Sequence, residues 1–285
     1  MAKIAVISDV HGNVTALRAV LADARAAGCT AYWFLGDLFF PGPGAHDLLT
    51  ILDALPITTY VRGNWEDILF ATVDGAIDRD DPIDVYATIL GHYVWTHLTP
   101  SDHHRLRALP MVQRRTVNGL TYQLTHNQLT KNFGHTLMPA QDQAAFDQLA
   151  AGPADVFLYG HTHHQLVRQS SAGQLIINPG TVGMPFTQWA AFAKDLRAQY
   201  AILTTHDFDA PAVDLRRVAY DAEAELALAQ AAQLPYLDLY TAQLHTGVVR
   251  THDRPGLAAA TQRHGYQAEF ARLCAQFPAS GHAQD

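Results

Sequence analysis

Apolar positions in the first third of the chain repeat one order: a short continuous run, a polar loop, then apolar residues at three- and four-residue steps. Residues 4–7 form such a run, the pattern of a strand covered on both faces. Over residues 14–27, Leu17, Val20, Leu21 and Ala24 recur at helical spacing, with Asn13 as N-cap and Gly28 as the stop. Residues 31–35 predict a second strand, followed by Gly36-Asp37, the loop FPGPG and a helix over 46–55. A third strand over 57–61 ends in Arg62-Gly63-Asn64, with a helix from Trp65. Serial strand–loop–helix units imply parallel strands joined by right-handed crossovers. In such sheets, functional side chains gather beyond the carboxyl ends of the strands.

The middle of the chain departs from this rhythm. The acidic stretch DGAIDRDDPID (74–84) predicts a surface loop, and 85–98 and 102–109 predict helices, together a helical insertion over the sheet at about 71–110. Segments 111–117 and 120–125 flank Asn118-Gly119, the dipeptide favoured by a type I′ hairpin turn, and His126 closes the hairpin. A helix is expected over 140–150 and strands over 155–159, 165–168, 175–178 and 200–205. Beyond residue 220, DAEAELALAQAAQL and 237–244 read as helices, and the terminal GHAQD as frayed. The expectation is a single domain over 1–285 with a helical C-terminal extension at about 220–285.

Composition narrows the class. A chain of 285 residues with 48% hydrophobic content can bury a full core. The net charge of −8, with no basic block, argues against an extended nucleic-acid footprint, and an anionic substrate would need local neutralisation, for instance by metal ions. Cys29 and Cys274 are too few and too far apart for a disulfide framework, so a cytoplasmic location is expected. Neither a signal-peptide pattern nor a bilayer-length apolar stretch is visible, so no membrane role is expected. Oligomeric state leaves no trace in the sequence.

The residues that follow the strands are Asp9, His11, Asp37, Asn64, His126, His161 and His163. Carboxylate, amide and imidazole without thiolate suit divalent transition ions such as Mn, Fe, Co or Zn. One bridging carboxylate with terminal imidazoles can hold two ions ~3.5–4 Å apart, the spacing that clamps a phosphate and activates water. Strand alternation is expected to aim Asp9 with His11, and His161 with His163, the same way. The glycines before Asp37, Asn64 and His161 permit tight turns and close backbone approach. Sixteen histidines make an isolated His-x-His unsurprising, but not seven potential ligands that each follow a strand.

SDVHGN (8–13), GDLFFPG (36–42), RGNWE (62–66), THN (125–127), GHTHHQL (160–166) and NPGTVG (178–183) occur in an order that resembles the calcineurin-like metallophosphoesterases. The resemblance covers residues 1 to about 205 and looks closest to small bacterial single-domain members, some of which hydrolyse phosphodiesters or dinucleoside polyphosphates. It implies an α/β fold, a four-layer α/β/β/α sandwich of two mixed sheets flanked by helices. It also implies two divalent ions, drawn from Mn, Fe, Zn, Co or Ni with Mn or Fe favoured. Asp9, His11, Asp37 and His163 would hold the first, and Asn64, His126 and His161 with the bridging Asp37 the second. The implied reaction is in-line attack of a metal-bridging hydroxide on a small phosphodiester or nucleotide-polyphosphate substrate, Asp37, Asn64 and Arg62 being the catalytic set. A phosphomonoesterase, including one for phosphoprotein, is the runner-up, and a scaffold with a vestigial site is the non-enzymatic alternative.

One position departs from the family. Many members carry a His after the Asn of the third motif, and it protonates the leaving group; here Trp65 stands there. Either another group donates the proton or the leaving group is acidic enough to depart unaided. Each substrate contact has a structural alternative. Arg62 is a phosphate clamp or an ion-pair partner of Glu66 or Asp67, and Asn13 a phosphate contact or an N-cap only. Trp65 stacks on a base or packs, and Asn127 touches substrate or satisfies a turn. His164 is expected to alternate away from the metals, and His92, His97, His103 and His104 to be loop or surface residues, while His135 could approach the substrate.

Overall fold

The structure, a computed structural model, describes residues 1–187 and 189–276, so the terminal GHAQD lies outside the described residues. Strand β1 (Ala2–Ile7) is apolar and buried over residues 4–7 because it is covered twice there: Ile4 and Val6 face a second sheet, and Ala5 and Ile7 face helices. It lies at the centre of a five-stranded mixed sheet. Parallel neighbours β2 (Ala31–Phe34) and β3 (Ile57–Tyr60) extend the sheet on one side, and antiparallel β9 (Ala198–Thr205) and β10 (Ala212–Val218) on the other. The second sheet runs β4 (Val112–Val117), β5 (Leu120–Thr125), β6 (Val156–Leu158), β8 (Leu175–Pro179), β7 (Gln165–Gln169), with β5, β6 and β8 parallel. The β4–β5 turn has Asn118 at φ 49° and Gly119 at φ 82°, both positive as type I′ requires.

The sheets meet through their inner residues, Ile4, Val6, Trp33 and Leu35 against Tyr122, Leu124, Leu158 and Ile177. At ~25 cal/mol per Å² of apolar surface, each such side chain stabilises the sandwich by roughly 1.5–3 kcal/mol. The outer face of the first sheet carries α1 (Val14–Ala26), α2 (His46–Asp53) and α3 (Asn64–Asp74). Asn13 caps α1, its side chain accepting from the amide of Ala16. α6 (Gln143–Leu149) covers the second sheet with Phe146 and Leu149, beginning later than the expected residue 140. The layers are therefore α/β/β/α.

The insertion and the C-terminal segment join in one helical layer. α9 (Arg254–His264) and α10 (Tyr266–Cys274) pack on α4 (Pro82–Thr96), which α5 (Pro100–Arg107) follows, and α7 (Ala222–Ala231) packs on α1 and on α8 (Leu237–Thr246). Tyr86, Tyr93, Tyr236, Tyr240 and Leu257 share its core. Strand β10 was absent from the sequence expectation. Only Val213 and Leu215 alternate inward on this edge strand, and the charged residues around them mask the period. Among the described residues no helix is long and apolar enough to cross a membrane.

Candidate metal centre

Five of the seven strand-end residues have left-handed backbones: Asp9 (φ 56°), His11 (53°), Asp37 (58°), His161 (63°) and His163 (57°). This corrects the expectation of strand alternation. β1 ends at Ile7 and β6 at Leu158, so each pair converges because both its members adopt αL conformation beyond the strand. Each costs ~1–2 kcal/mol for a residue with a Cβ, and such strain persists only where surroundings over-determine it. The loops lace into one another: Asp9 N donates to Gly36 O at 3.0 Å, His11 N to Asp37 O at 3.1 Å, Gly160 N to His126 O at 2.9 Å and Gly183 N to Asp9 O at 3.0 Å. Gly36 is required on two counts: its φ is 98°, and a Cβ there would lie 2.6 Å from Gly63 N and 2.9 Å from His126 Nδ1.

Three imidazoles are oriented alike. Nδ1 of His11 faces Phe40 O at 2.7 Å, that of His126 faces Leu35 O at 2.7 Å and that of His163 faces Met184 O at 2.8 Å. A carbonyl only accepts, so each Nδ1 carries a hydrogen and each ring turns its Nε2, the ligating atom, inward. The inward atoms are all donors of electron pairs. His11 Nε2 and His163 Nε2 are 3.0 Å apart, with Asp9 Oδ1 at 3.8 and 3.2 Å from them. Asp37 Oδ2 lies 3.2 Å from His126 Nε2 and 3.9 Å from His11 Nε2, between the two halves. His161 is turned the other way: its Nε2 is spent on Gly134 O at 3.1 Å, which leaves Nδ1 facing Asn64 Oδ1 at 2.8 Å, itself 3.0 Å from His126 Nε2.

Lone pairs at such distances repel unless a cation lies among them. Asp9, His11 and His163 form one cluster that could hold a metal ion, and Asp37, His126 and His161 form a second. The hard and borderline donors fit divalent transition ions. Each carboxylate uses one oxygen for orientation: Asp9 Oδ2 accepts from His161 N at 3.1 Å and Asp37 Oδ1 from Trp65 N at 2.8 Å. Asp9 Oδ1 accepts no hydrogen bond among the described residues, an orphan that a cation would satisfy.

The electrostatics agree. Burial, then the charge of His163, pushes His11 down to about 4, and burial, then His126, does the same to His161, so both rings are neutral and ready to ligate. Burial opposes a charge on His126 too, but the Asp37 carboxylate beside it raises it to about 10, a proton standing where a cation belongs. Burial would lift the carboxyls of Asp9 and Asp37, yet His163 and His126 respectively hold them below their ordinary value.

The fully buried Glu66 joins the second and third motif loops. It accepts from Asp37 N at 2.9 Å, Leu38 N at 2.8 Å and Gly63 N at 2.7 Å. Burial and then the charge of Asp37 raise its carboxyl to about 7, against the pull of those three amides. Its place two residues after Asn64 was visible, but nothing local in the sequence signalled its reach back to Asp37.

Above the cluster lies a cavity of about 540 Å³, lined by Asp37, Asn64, His161 and His163 below and by Trp65, Met138, Met184, Phe186 and Val248 around it. A second of about 500 Å³ adjoins it through Asn64 and His161. Three of the residues singled out as substrate contacts, Arg62, Asn127 and Asn13, line neither cavity. Arg62 has its Nε 3.0 Å from Asp67 Oδ1. Asn127 is wholly buried and donates to Gly134 O at 3.2 Å, holding a loop. Asn13, equally buried, serves the α1 cap and lines neither cavity. Trp65 packs, its ring edge-on to His11 (centroids 5.8 Å) and beside Phe40 (5.4 Å), and it also lines the cavity. His164 turns its Nδ1 to Thr162 O and its ring edge to Phe186, outside the first cavity. His103 is a helix residue bonded to Trp95 O, while His97 stands in the turn that ends α4, bonded to Tyr93 O. His135 does reach the cavity, and so does His252, which lay in a segment with no readable motif.

Two mixed sheets with loops that converge electron-pair donors beyond their strand ends define a metallophosphoesterase-type fold and site. The family model for the calcineurin-like phosphoesterase superfamily domain matches residues 2–207, and the chain belongs to that superfamily. It is similar to the crystal structure of a metallophosphoesterase from Sphaerobacter thermophilus, at 28% identity and a TM-score of 0.64, over 87% of this chain and 99% of that one. It shares its fold with a hypothetical protein from Pyrococcus horikoshii OT3, at 18% identity and a TM-score of 0.69, over 87% of this chain and 99% of that one. An uncharacterised protein of Methanocaldococcus jannaschii is 26% identical over 239 residues, 76% of this chain and 88% of its own length.

Proposed function

We propose that this chain is a two-metal hydrolase of small phosphodiesters. The observation that carries the reading is the shared position of Asp37 Oδ2, 3.2 Å from His126 and 3.9 Å from His11, between two sets of converging lone pairs. Asp9, His11, His163 and Asp37 would hold one ion, and Asp37, Asn64, His126 and His161 the other, with Mn or Fe suited to the donor set. When bound, such a pair makes water nucleophilic at neutral pH and offsets negative charge on phosphoryl oxygens. The chain itself positions the ester: Asn64 and His161 form the floor, and Trp65 with Phe186 walls off bulk water from the reacting face.

Among the described residues, neither cavity has a Lys or Arg in its lining. Each further phosphate of a nucleotide polyphosphate would therefore bring charge with no guanidinium or ammonium to meet it. A diester presents a single negative charge and two organic arms, which the mostly apolar walls suit. This favours the diester over the polyphosphate and the dianionic monoester. Metal analysis should find about two transition ions per chain, and bis(4-nitrophenyl) phosphate should be hydrolysed by the native protein and not by Asp37→Ala. A metal-loaded native protein inert to every phosphoester would instead establish the scaffold alternative.

A further inference from the structure

In-line displacement expels the ester oxygen on the side of phosphorus opposite the attacking oxygen. Attack comes from the buried cluster, so the departing oxygen faces the open cavity, and any proton donor for it must stand there. The two cavities share four residues, Asn64, His161, His135 and His252. The ionisable side chains lining either cavity, among the described residues, are few. Asp37, His161 and His163 belong to the metal centre. Asp67 is engaged by Arg62 and by Asn132 Nδ2 at 2.6 Å. His135 and His252 remain, and Trp65, at the family's donor position, offers an indole N–H that is no acid.

We propose that the rim imidazoles of His135 and His252 together supply the leaving-group proton, a role that rests on the phosphoesterase reading above. They come from separate segments, His135 from the loop between β5 and α6 and His252 from the turn between α8 and α9, so the C-terminal helical layer completes the site. Both are exposed, which lets solvent return the proton after each turnover. Burial on one side, then the charges of His135 and of Arg254, hold His252 below its ordinary value, so its imidazolium is a readier acid. Arg254 is itself paired with Asp81. In the step, the oxygen of water forms a bond to phosphorus and the bond from phosphorus to the ester oxygen breaks, its electron pair staying on that oxygen. An imidazolium transfers its proton there, and a neutral alcohol leaves. The proton lost by water goes to solvent, which reprotonates the imidazole, so the sum is diester plus water giving monoester plus alcohol.

The test compares native protein, His135→Asn, His252→Asn and the double variant, each loaded with Mn²⁺, on methyl aryl phosphodiesters whose phenols differ widely in acidity. With the donor removed, rates should fall about threefold on the 4-nitrophenyl ester and about 10²-fold or more on esters of weakly acidic phenols, steepening the dependence on leaving-group pKa. Metal content and thermal unfolding should match the native protein, and His252→Gln should behave as His252→Asn. Equal losses across the series, no loss, or loss of metal would overturn the proposal while leaving the phosphoesterase reading intact. A native protein that cleaves none of the esters would remove both.

Discussion

Gly63→Ala isolates what close backbone approach does for the metal centre. Gly63 has φ −90° and ψ 178°, a conformation open to any residue, so the substitution carries no backbone strain. Its obstacle is steric: a Cβ would overlap both Oδ1 and the backbone nitrogen of Asp37 and lie 2.9 Å from its Cγ, so the whole residue and not its carboxylate alone stands in the way. Carbon atoms in contact keep ~3.5–4.0 Å, so Asp37, backbone and carboxylate together, must retreat by about 0.6–1 Å. That movement breaks the buried bond from Trp65 N to Asp37 Oδ1, worth ~1.5–3 kcal/mol to a charged acceptor, and strains the one from Asp37 N to Glu66. The expected cost is ~2–5 kcal/mol. Ligand positions tolerate about 0.2 Å, so an Asp37 displaced this far serves neither ion. Gly152→Ala is the control: a Cβ there meets only Arg114 Nη2 at 4.0 Å, and stability should stay level or rise by ~0.4–1 kcal/mol. Urea unfolding of chelated protein reads the first effect, and metal content after dialysis reads the second. A Gly63→Ala protein with native midpoint and native metal content would refute the reasoning.

Glu66→Ala deprives three buried amides of their acceptor, each worth ~1–3 kcal/mol, and readmitted water recovers only part; the loss in urea unfolding should reach at least ~3 kcal/mol, and one below ~1 would show that the carboxyl holds nothing. Chelation should lower the melting temperature markedly, since an ion at a thousand times its Kd contributes ~4 kcal/mol per site; identical melting with and without chelator would argue against bound metal. Hydrogen bonds from Arg216, opposed by burial and helped by Tyr200, lower Asp23 below 3.8. A lowered carboxyl contributes stability above its ordinary value and loses it as pH falls through the folded one, so Arg216→Ala should cost at most ~0.5–1 kcal/mol at pH 7 for this half-exposed pair and progressively less below about pH 4. A cost independent of pH would assign it to packing instead.

Much of this was legible because period and chemistry coincide in the sequence. The βα units could be placed from residues 4–7 and from Leu17, Val20 and Leu21, and the strand-end donors followed from where those units stop. What stayed hidden is long-range or conformational. Sequence alternation explained the pairing of Asp9 with His11 by the wrong device, because a positive φ in a residue with a Cβ leaves no mark in composition. Arg62 and Asn127 were ambiguous for want of a partner, and the fold supplies Asp67 to one and Gly134 to the other. His252 carried no motif at all, since only the packing of α9 and α10 on α4 brings the turn before α9 to the cavity.

The two charge patterns, of the chain and of the site, have one explanation. The protein carries a net charge of −8, the cluster contributes the carboxylates of Asp9 and Asp37, and the cation that stood ready in the sequence, Arg62, is tied to Asp67. A phosphate anion entering such a cavity would meet repulsion and no guanidinium or ammonium among the described residues that line it. Every positive charge that could hold it must then be brought in, either as metal ions on the converging lone pairs or as a proton on the rim imidazoles. Metal occupancy would therefore govern substrate affinity as well as turnover, because the same ions that activate water are the main attraction for the ester. On the proposed reading the site would discriminate by charge count: one phosphodiester charge could be offset by the ions alone, whereas added phosphates would meet the cavity wall of Trp65, Met184 and Phe186, where burying an unpaired anion costs several kcal/mol.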